Sequence, residues 1–487
     1  MLIMNTFRFL TLAALPFSLA QETVYGVYIF HRHGDRTPKA LAPTNLTQLG
    51  YQEAYTSGEY YRSRYVASDA SLKVTGLNAD TVKLSQISVT APQDNVLQSS
   101  AQGFLQGLYP PVETSQTLRN GTVVSAPFGG YQIIPINLVS SGTGSEDNGW
   151  LQDASGCENA QISSNNYFLS REYTEKLDAT RPFYQDLVPV VNRTFAANYT
   201  TFKNAYTIFD LINVAEIHNA TIQSDSILTN DTLFQLRTLA DTHEFGLAYN
   251  ASEPGNARAM PGMQLAGEIL KFLNNTITTK GASKLGIQFG AYASFLSYFG
   301  LANLTQASGD FYGVPDYASS MVFELFANNN GAQTGAGGFP APSDLQVRFL
   351  FHNGTASNSS EPTVYPLFGG SETSIPWSTF SAKMKSIAVS TTEQWCHACG
   401  NTTGTCAAYA AGSSSTAGSS SGSHSSESGG GISKAVAGVI GAMVTLAVIL
   451  GLEALIMLAG GFRLVSKKKM EGRGLSPTTS AADDVKA

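Results

Sequence analysis

Two short apolar stretches near the N-terminus are separated by a segment with helical periodicity. Residues 24–30 form a run of apolar and aromatic side chains that predicts a buried strand, and residues 86–90 predict a second strand. Between them, residues 47–65 have the pattern of a helix, with Thr47 as a candidate N-cap. The succession of strand, helix and strand is typical of an α/β fold.

Two later segments also have apolar residues at helical spacing. Residues 230–249 place their leucines on one face, and residues 263–273 carry apolar side chains four positions apart. The first of these helices contains the adjacent pair His243 and Glu244. This pair has the chemistry of an acid site, but a helix face that covers the core or meets water is the interpretation we favour.

The C-terminal region changes composition twice. Residues 407–433 are mostly serine, glycine and alanine, which predicts a flexible stalk. Residues 434–460 are nearly continuous apolar sequence, interrupted by Glu453, and are long enough to cross a lipid bilayer as a helix. Basic residues follow, so the positive-inside rule places the tail, residues 461–487, in the cytosol. The pattern predicts a single-pass type I membrane protein with its ectodomain at the cell surface.

The N-terminus supports export as well. Residues 1–20 combine an early Arg8, an apolar run and small residues before the predicted cleavage site, which is the pattern of a signal peptide; a buried N-terminal strand is the alternative. Twelve Asn-x-Ser/Thr sequons in the body predict an N-glycosylated protein. The candidate asparagines are Asn45, Asn120, Asn192, Asn198, Asn219, Asn230, Asn250, Asn274, Asn303, Asn353, Asn358 and Asn401.

Charge and cysteine content narrow the function classes. The 487-residue chain has 13% charged residues and a net charge of -7, and its body carries no basic run, which argues against nucleic-acid binding. In an oxidising compartment the four cysteines predict two disulfides, with three pairings open. The Cys-x-x-Cys spacing also permits a redox or zinc motif, which we disfavour beside a linker. The candidates are Cys157, Cys396, Cys399 and Cys406.

The segment with the most candidate catalytic residues directly follows the first predicted strand. Residues 32–38 read R-H-G-D-R-T-P and place a histidine between two arginines. Arg32 and Arg36 offer planar, charged donors to phosphate oxygens, and a neutral imidazole at His33 can attack phosphorus. Gly34 allows the backbone to approach an anion closely. The alternative is a surface loop whose arginines pair with carboxylates.

This run after a hydrophobic strand resembles the signature of the histidine acid phosphatase family, which includes acid phosphatases and phytases. The resemblance covers most of residues 21–406. It implies that His33 is the nucleophile, that Arg32 and Arg36 bind phosphate, and that His31 is a bystander. It also implies a three-layer α/β/α sandwich with a mostly parallel central sheet and a helical cap inserted after about residue 130. No metal or organic cofactor is implied.

The sequence departs from the family at two places. The family has a third phosphate-binding arginine at the start of the helix after the second strand, where this chain has Asn95. The block at residues 285–301 keeps the apolar frame that carries the family's His-Asp pair, but it contains neither residue. The leaving oxygen therefore lacks its usual proton donor. Substitutes available in the sequence are Asp35, Asp94, Glu244 or a water molecule.

Two functional interpretations follow. The first is a membrane-anchored extracellular acid phosphatase that hydrolyses small phosphate monoesters through a phosphohistidine on His33. The second is a catalytically impaired relative that binds a phosphorylated ligand, or serves as a structural glycoprotein, at the cell surface. The intact signature favours the enzyme, because a fold kept only for architecture has no need of two arginines beside a histidine.

Overall fold

The computed structural model describes residues 21–139, 156–219, 221, 222, 224, 226–329 and 338–410. The predicted signal peptide, most of the stalk, the membrane span and the cytosolic tail lie outside these residues and stay predictions. Within the described part of the chain, no helix combines the length and apolar character that a membrane crossing requires.

A mixed β-sheet forms the centre of the molecule. Its strands follow the order β10-β8-β7-β1-β6-β2-β5, with β9 paired to β8, while β3 and β4 form a separate hairpin. The strands are β1 (Gln21–Arg32), β2 (Ile87–Pro92), β3 (Ser115–Thr117), β4 (Val123–Ser125), β5 (Asn137–Val139), β6 (Leu285–Gly290), β7 (Ser320–Asn329), β8 (Leu345–His352), β9 (Thr363–Tyr365) and β10 (Ser374–Pro376).

The sequence predicted a mostly parallel central sheet, but only half of the sheet is parallel. Strand β1 pairs in parallel with β6, which pairs in parallel with β2, and β2 does the same with β5. On its other side β1 is antiparallel to β7, and β7, β8 and β10 alternate in direction. Parallel neighbours need a long crossover, usually a helix, whereas the described residues between β7 and β10 form only short turns and 3₁₀ helices. Those strands therefore pair antiparallel.

Helices cover both faces of the sheet. The helices are α1 (Gln48–Tyr61), α2 (Asn95–Leu108), α3 (Glu158–Asn165), α4 (Arg171–Ala179), α5 (Arg181–Asp186), α6 (Val188–Val191), α7 (Ala205–His218), α8 (Asn230–Ala248), α9 (Met260–Thr278), α10 (Tyr292–Leu301), α11 (Trp377–Ile387) and α12 (Thr392–Cys399). The helices predicted over residues 47–65, 230–249 and 263–273 correspond to α1, α8 and α9. Thr47 caps α1, as expected, by accepting the N–H of Gly50.

Alternating side chains of β1 enter two different cores, which gives the molecule three layers. Val27 and Ile29 pack with α1 and α2 on one face of the sheet. Tyr28 and Phe30 pack with α9, α10 and α11 on the other. The prediction of an α/β fold with a central sheet is confirmed, and the packing on both faces follows from the period of two along a strand.

The predicted helical cap is also present. Helices α4 to α7 and part of α8 share a third core that contains Tyr184, Phe202 and Ile212. Two disulfides join Cys157 to Cys399 and Cys396 to Cys406. The prediction of two disulfides is confirmed, and the structure selects one of the three pairings. The first bond links the start of the cap helix α3 to the end of α12.

Candidate active site

The candidate site lies at the carboxyl end of β1, where the sheet changes from parallel to antiparallel. Arg32 ends the strand, and the following loop packs directly against two helices. The N–H of Gly34 donates to Ser100 Oγ of α2 at 3.1 Å. A Cβ on Gly34 would lie 2.1 Å from the carbonyl oxygen of Gly50 in α1, so this close approach requires glycine.

His33 is fully buried, and its tautomer is fixed by the loop. Its Nδ1 lies 2.8 Å from the carbonyl oxygen of Gly34. Because a carbonyl only accepts, the proton of the neutral imidazole sits on Nδ1, and the lone pair sits on Nε2. This is the state in which Nε2 can act as a nucleophile.

Both arginines of the signature lie beside this histidine, and all three side chains pack against the ring of Tyr317. The ring of Tyr317 is 5.5 Å from the His33 ring, 4.7 Å from the Arg32 guanidinium carbon and 5.6 Å from that of Arg36. Arg32 also donates to the carbonyl of Pro315 and, at 3.3 Å, to the hydroxyl of Tyr206. The structure therefore brings together the three residues that the sequence analysis selected.

Asp210 of the cap helix α7 is a site residue that the sequence analysis missed. Its carboxylate accepts from Arg36 at 2.9 and 3.1 Å, from the N–H of Lys39 at 2.8 Å and from the hydroxyl of Tyr317 at 3.3 Å. Both Asp210 and Arg36 are buried. The available signal was a lone acid within the apolar stretch A-Y-T-I-F-D-L-I-N-V-A.

The block that lacks the His-Asp pair presents Tyr292 and Ala293 at the start of α10. The hydroxyl of Tyr292 donates to Glu244 Oε2 at 2.9 Å, and Lys39 Nζ lies 5.1 Å from the centre of its ring. Ala293 lines a cavity of about 340 Å³ beside Glu244. Ala293, at the start of α10, is thus next to open space.

Glu244 and its neighbour have separate roles. His243 is buried against the ring of Phe202, 5.3 Å away, so it belongs to the cap core, as the helix-face interpretation expected. Glu244 instead turns toward the site. Burial alone would raise the pKa of Glu244, but hydrogen bonds from His243 and Tyr292 hold that pKa below its usual value.

The other substitute proton donors have structural partners. Asp35 is buried, and its Oδ1 accepts from Thr47 and, at 2.6 Å, from His218 Nε2. Asp94 caps α2 by accepting the N–H groups of Val96 and Leu97, each at 2.8 Å. These contacts tie the nucleophile loop and α2 in place.

Asn95 is exposed and faces a cavity of its own. Together with Asn45, Thr47 and Tyr51 it lines a cavity of about 410 Å³. None of the described residues that line this cavity belongs to the cluster around His33. Asn95, which the sequence analysis matched to the family's third arginine, therefore lies away from the cluster around His33.

Two titratable groups flank the loop. The pKa of His31 is lowered to about 4, chiefly because the ring is buried, and the ring lies 5.1 Å from both Phe104 and Phe289. His31 is therefore a core residue, as expected. Burial raises the pKa of Glu53, on α1, to about 7, although this carboxylate accepts the N–H of Asp35 at 2.7 Å.

All twelve sequons lie at or near the surface. Asn250 and Asn401 are half-buried, and the other ten asparagines are exposed. Their positions therefore permit the predicted glycosylation.

Comparison with known proteins gives the family. The model of the histidine phosphatase superfamily (branch 2) matches residues 40–351, more than half of the chain. Prostatic acid phosphatase of Homo sapiens is 26% identical over 324 residues, which cover 63% of this chain and 75% of the relative. Putative acid phosphatase 5 of Caenorhabditis elegans is 23% identical over 64% of this chain and 68% of its own length.

Among solved structures, the phytase from Citrobacter braakii superimposes with a TM-score of 0.52 at 14% identity, over 75% of this chain and 98% of the phytase. This similarity supports the fold, while the family match spans β2, the cap, β6, α10 and β7 and begins after β1 and the loop that carries His33. The chain belongs to branch 2 of the histidine phosphatase superfamily.

Proposed function

We propose that this protein hydrolyses phosphate monoesters, with His33 as the nucleophile and Arg32 and Arg36 as the phosphate-binding groups. The observation that carries the proposal is the hydrogen bond from His33 Nδ1 to the carbonyl of Gly34, because it leaves the Nε2 lone pair for phosphorus. The two guanidiniums that share Tyr317 with His33 supply positive charge for the transferring phosphoryl group. Family membership supports a phosphatase activity.

The reaction has two steps. In the first, Nε2 of His33 forms a bond to phosphorus, the ester P–O bond breaks, and the leaving oxygen takes a proton. In the second, water attacks the phosphohistidine, the N–P bond breaks, and inorganic phosphate is released. Substrate phosphate must share Arg36 with Asp210, which holds this guanidinium with both carboxylate oxygens.

The first step lacks the family's proton donor, because residues 285–301, which resemble the block that carries it, contain neither aspartate nor histidine. A general acid contributes about 10²- to 10⁴-fold to the rate. Esters of acidic alcohols such as phenols need this proton least. We therefore expect aryl phosphates to be the best substrates and simple alkyl phosphates to be poor ones.

The same departure favours a second candidate function. A protein that keeps the phosphate-binding groups but has alanine at position 293 binds phosphorylated ligands without rapid turnover. The same alternative includes a structural or adhesive role at the cell surface, since fold does not imply function.

For the cellular setting we propose a surface-anchored glycoprotein. The signal peptide over residues 1–20, the twelve sequons and the apolar residues 434–460 support this proposal. Treatment with an endoglycosidase should increase gel mobility, and alkaline carbonate should leave the full-length chain with the membranes. Release by carbonate would contradict the anchor.

The activity is tested by hydrolysis of p-nitrophenyl phosphate from acid to neutral pH. The full-length protein is compared with His33→Ala and with the control His397→Ala, which alters an exposed histidine of α12. We expect activity in the wild type and the control and none in His33→Ala. Activity in all three proteins would show that His33 is not the nucleophile. Folded wild-type protein without activity would leave the binding function.

A further inference from the structure

A third cavity lies between the cap and the sheet, and part of its wall is shared with a crevice beside the phosphate-binding cluster. Its volume is about 1060 Å³, and we call it the acidic cleft. Val314, Pro315 and Asp316 line both the acidic cleft and a narrow crevice beside Arg32 and Tyr317. The cleft and the crevice beside Arg32 therefore meet along this shared wall, which also includes Arg237. Its size matches the upper range of ligand pockets, which runs from about 300 to 1000 Å³.

The charges of the cleft are mostly negative. The described residues that line it include five carboxylates, Glu172, Asp241, Asp310, Asp316 and Glu361, against one guanidinium, Arg237. Arg237 is already shared, since it pairs with Asp241 at 3.1 Å and with Asp316 at 2.8 Å. Three carboxylates thus remain uncompensated by this arginine. The walls repel the anionic part of a ligand and attract cations.

Aromatic rings form part of the same wall. Phe234 and Tyr312 line the cleft and are 74% and 51% exposed. The ring of Phe245 supports Tyr312 at a centroid distance of 4.7 Å. Exposed aromatic faces beside carboxylates are a common environment for ammonium and guanidinium groups. The aromatic surface is an observation independent of the carboxylates, and it favours the same ligand chemistry.

We infer that the alcohol part of the natural substrate carries positive charge and occupies the acidic cleft while its phosphate binds at His33. The inference rests on the proposed function and adds a substrate class to it, phosphate monoesters whose alcohol part is cationic. The probe is a phosphotyrosine peptide with flanking arginines, because its phenolic leaving group needs the missing proton donor least. Highly anionic phosphate esters are correspondingly poor substrates, because their remaining charges meet the carboxylates of the cleft.

The test compares kcat/KM of the full-length protein for two phosphotyrosine pentapeptides, one with flanking arginines and one with flanking glutamates. p-Nitrophenyl phosphate serves as a third substrate that is too small to fill the cleft. We expect the arginine peptide to exceed the glutamate peptide by about tenfold at low ionic strength, with a smaller ratio at high salt. Equal values, or a preference for the glutamate peptide, would overturn the inference.

A double variant assigns the preference to the cleft. Asp310→Asn with Glu361→Gln removes two exposed carboxylates of the wall, and we expect the ratio to fall about fivefold. The matched control is Asp69→Asn with Asp178→Asn, which removes two exposed carboxylates elsewhere and should leave the ratio as in the wild type. An equal fall in both double variants would mean that net charge, not the cleft, sets the preference.

Failure of this inference and failure of the proposed function give different results. Hydrolysis of p-nitrophenyl phosphate without peptide preference removes the cleft assignment alone. If no substrate is hydrolysed, the proposed activity is wrong, and calorimetric binding of the two peptides then tests the cleft directly. Preferential binding of the arginine peptide would support it, and equal binding would exclude it.

Discussion

The carboxylate of Asp210 holds the guanidinium of Arg36 with both oxygens, at 2.9 and 3.1 Å, in the interior of the protein. This carboxylate comes from the cap, and Arg36 from the loop after β1. Because the pair is buried, each partner depends on the other for neutralisation. An anion that binds to Arg36 therefore competes with the carboxylate of Asp210.

Removing that internal anion should make stability depend on phosphate. We expect Asp210→Asn to lower the free energy of unfolding by about 3 kcal/mol, because it leaves a buried guanidinium without its partner. Inorganic phosphate should then raise Tm more in the variant than in the wild type, since bound phosphate replaces the lost charge. Thermal unfolding with and without phosphate measures both effects. Asp178→Asn, which breaks an exposed ion pair with Arg181, is the control. Equal phosphate responses in all three proteins would contradict the competition.

Restoring a carboxyl group at position 293 should supply the missing proton. Ala293 borders the cavity of about 340 Å³, so an aspartate has room there. We expect Ala293→Asp to raise kcat for alkyl phosphates by about 10- to 100-fold and to change aryl phosphate hydrolysis much less. Ala293→Asn is the control, because it has nearly the same size and no acidic proton. Equal gains from both substitutions would mean that shape, not proton transfer, is responsible.

Glu53 should make the protein less stable as the pH rises toward neutrality. Its pKa of about 7 in the folded protein exceeds the ordinary glutamate value, because it is buried. Between about pH 4.5 and 7 the folded state therefore holds a proton that the unfolded state has lost, and stability falls with rising pH by at most about 3 kcal/mol.

Glu53→Gln mimics the protonated form and can still accept the N–H of Asp35. We expect the variant to match the wild type near pH 4.5 and to be more stable at pH 8. Urea unfolding at both pH values measures the difference, with Glu393→Gln at an exposed site as the control. A constant difference between variant and wild type across this range would contradict the assignment.

The contact between the loop after β1 and α1 should not tolerate a methyl group. A Cβ on Gly50 would lie 2.0 Å from the carbonyl oxygen of Asp35, which is backbone and cannot rotate away. We expect Gly50→Ala to destabilise the fold by about 3 kcal/mol or more and to reduce activity through displacement of His33. Gly309→Ala, with no atom within 4 Å of the added carbon, is the control. Chemical unfolding with parallel activity assays tests this prediction, and comparable stabilities of the two variants would refute it.

Local sequence was sufficient for the local features of the site. The run from Arg32 to Arg36 follows a strand whose burial could be predicted from its apolar composition. Thr47 could be predicted as the N-cap of α1. The helix over residues 230–249 and the number of disulfides could also be predicted, because helical periodicity and cysteine count are short-range or compositional signals. The cap as a whole came from the family resemblance.

Contacts between residues that are far apart in the sequence could not be predicted from it. Asp210 and Tyr317 meet Arg36 from positions 174 and 281 residues further along the chain, and only the folded sheet and cap bring them together. The antiparallel half of the sheet was missed for a related reason. The direction of a strand depends on the segment that connects it to its neighbour. The segment after β7 has no helical periodicity from which a helical crossover, and hence a parallel neighbour, could be predicted or excluded.

The disulfide between Cys157 and Cys399 closes a covalent ring, since the two cysteines are 242 residues apart in sequence. The ring contains most of the cap, strand β6 and the antiparallel half of the sheet. A protease that cuts one peptide bond inside the ring produces two chains that stay joined. A singly nicked molecule would therefore migrate as one species on a denaturing gel without reductant and separate into fragments only when thiol is added.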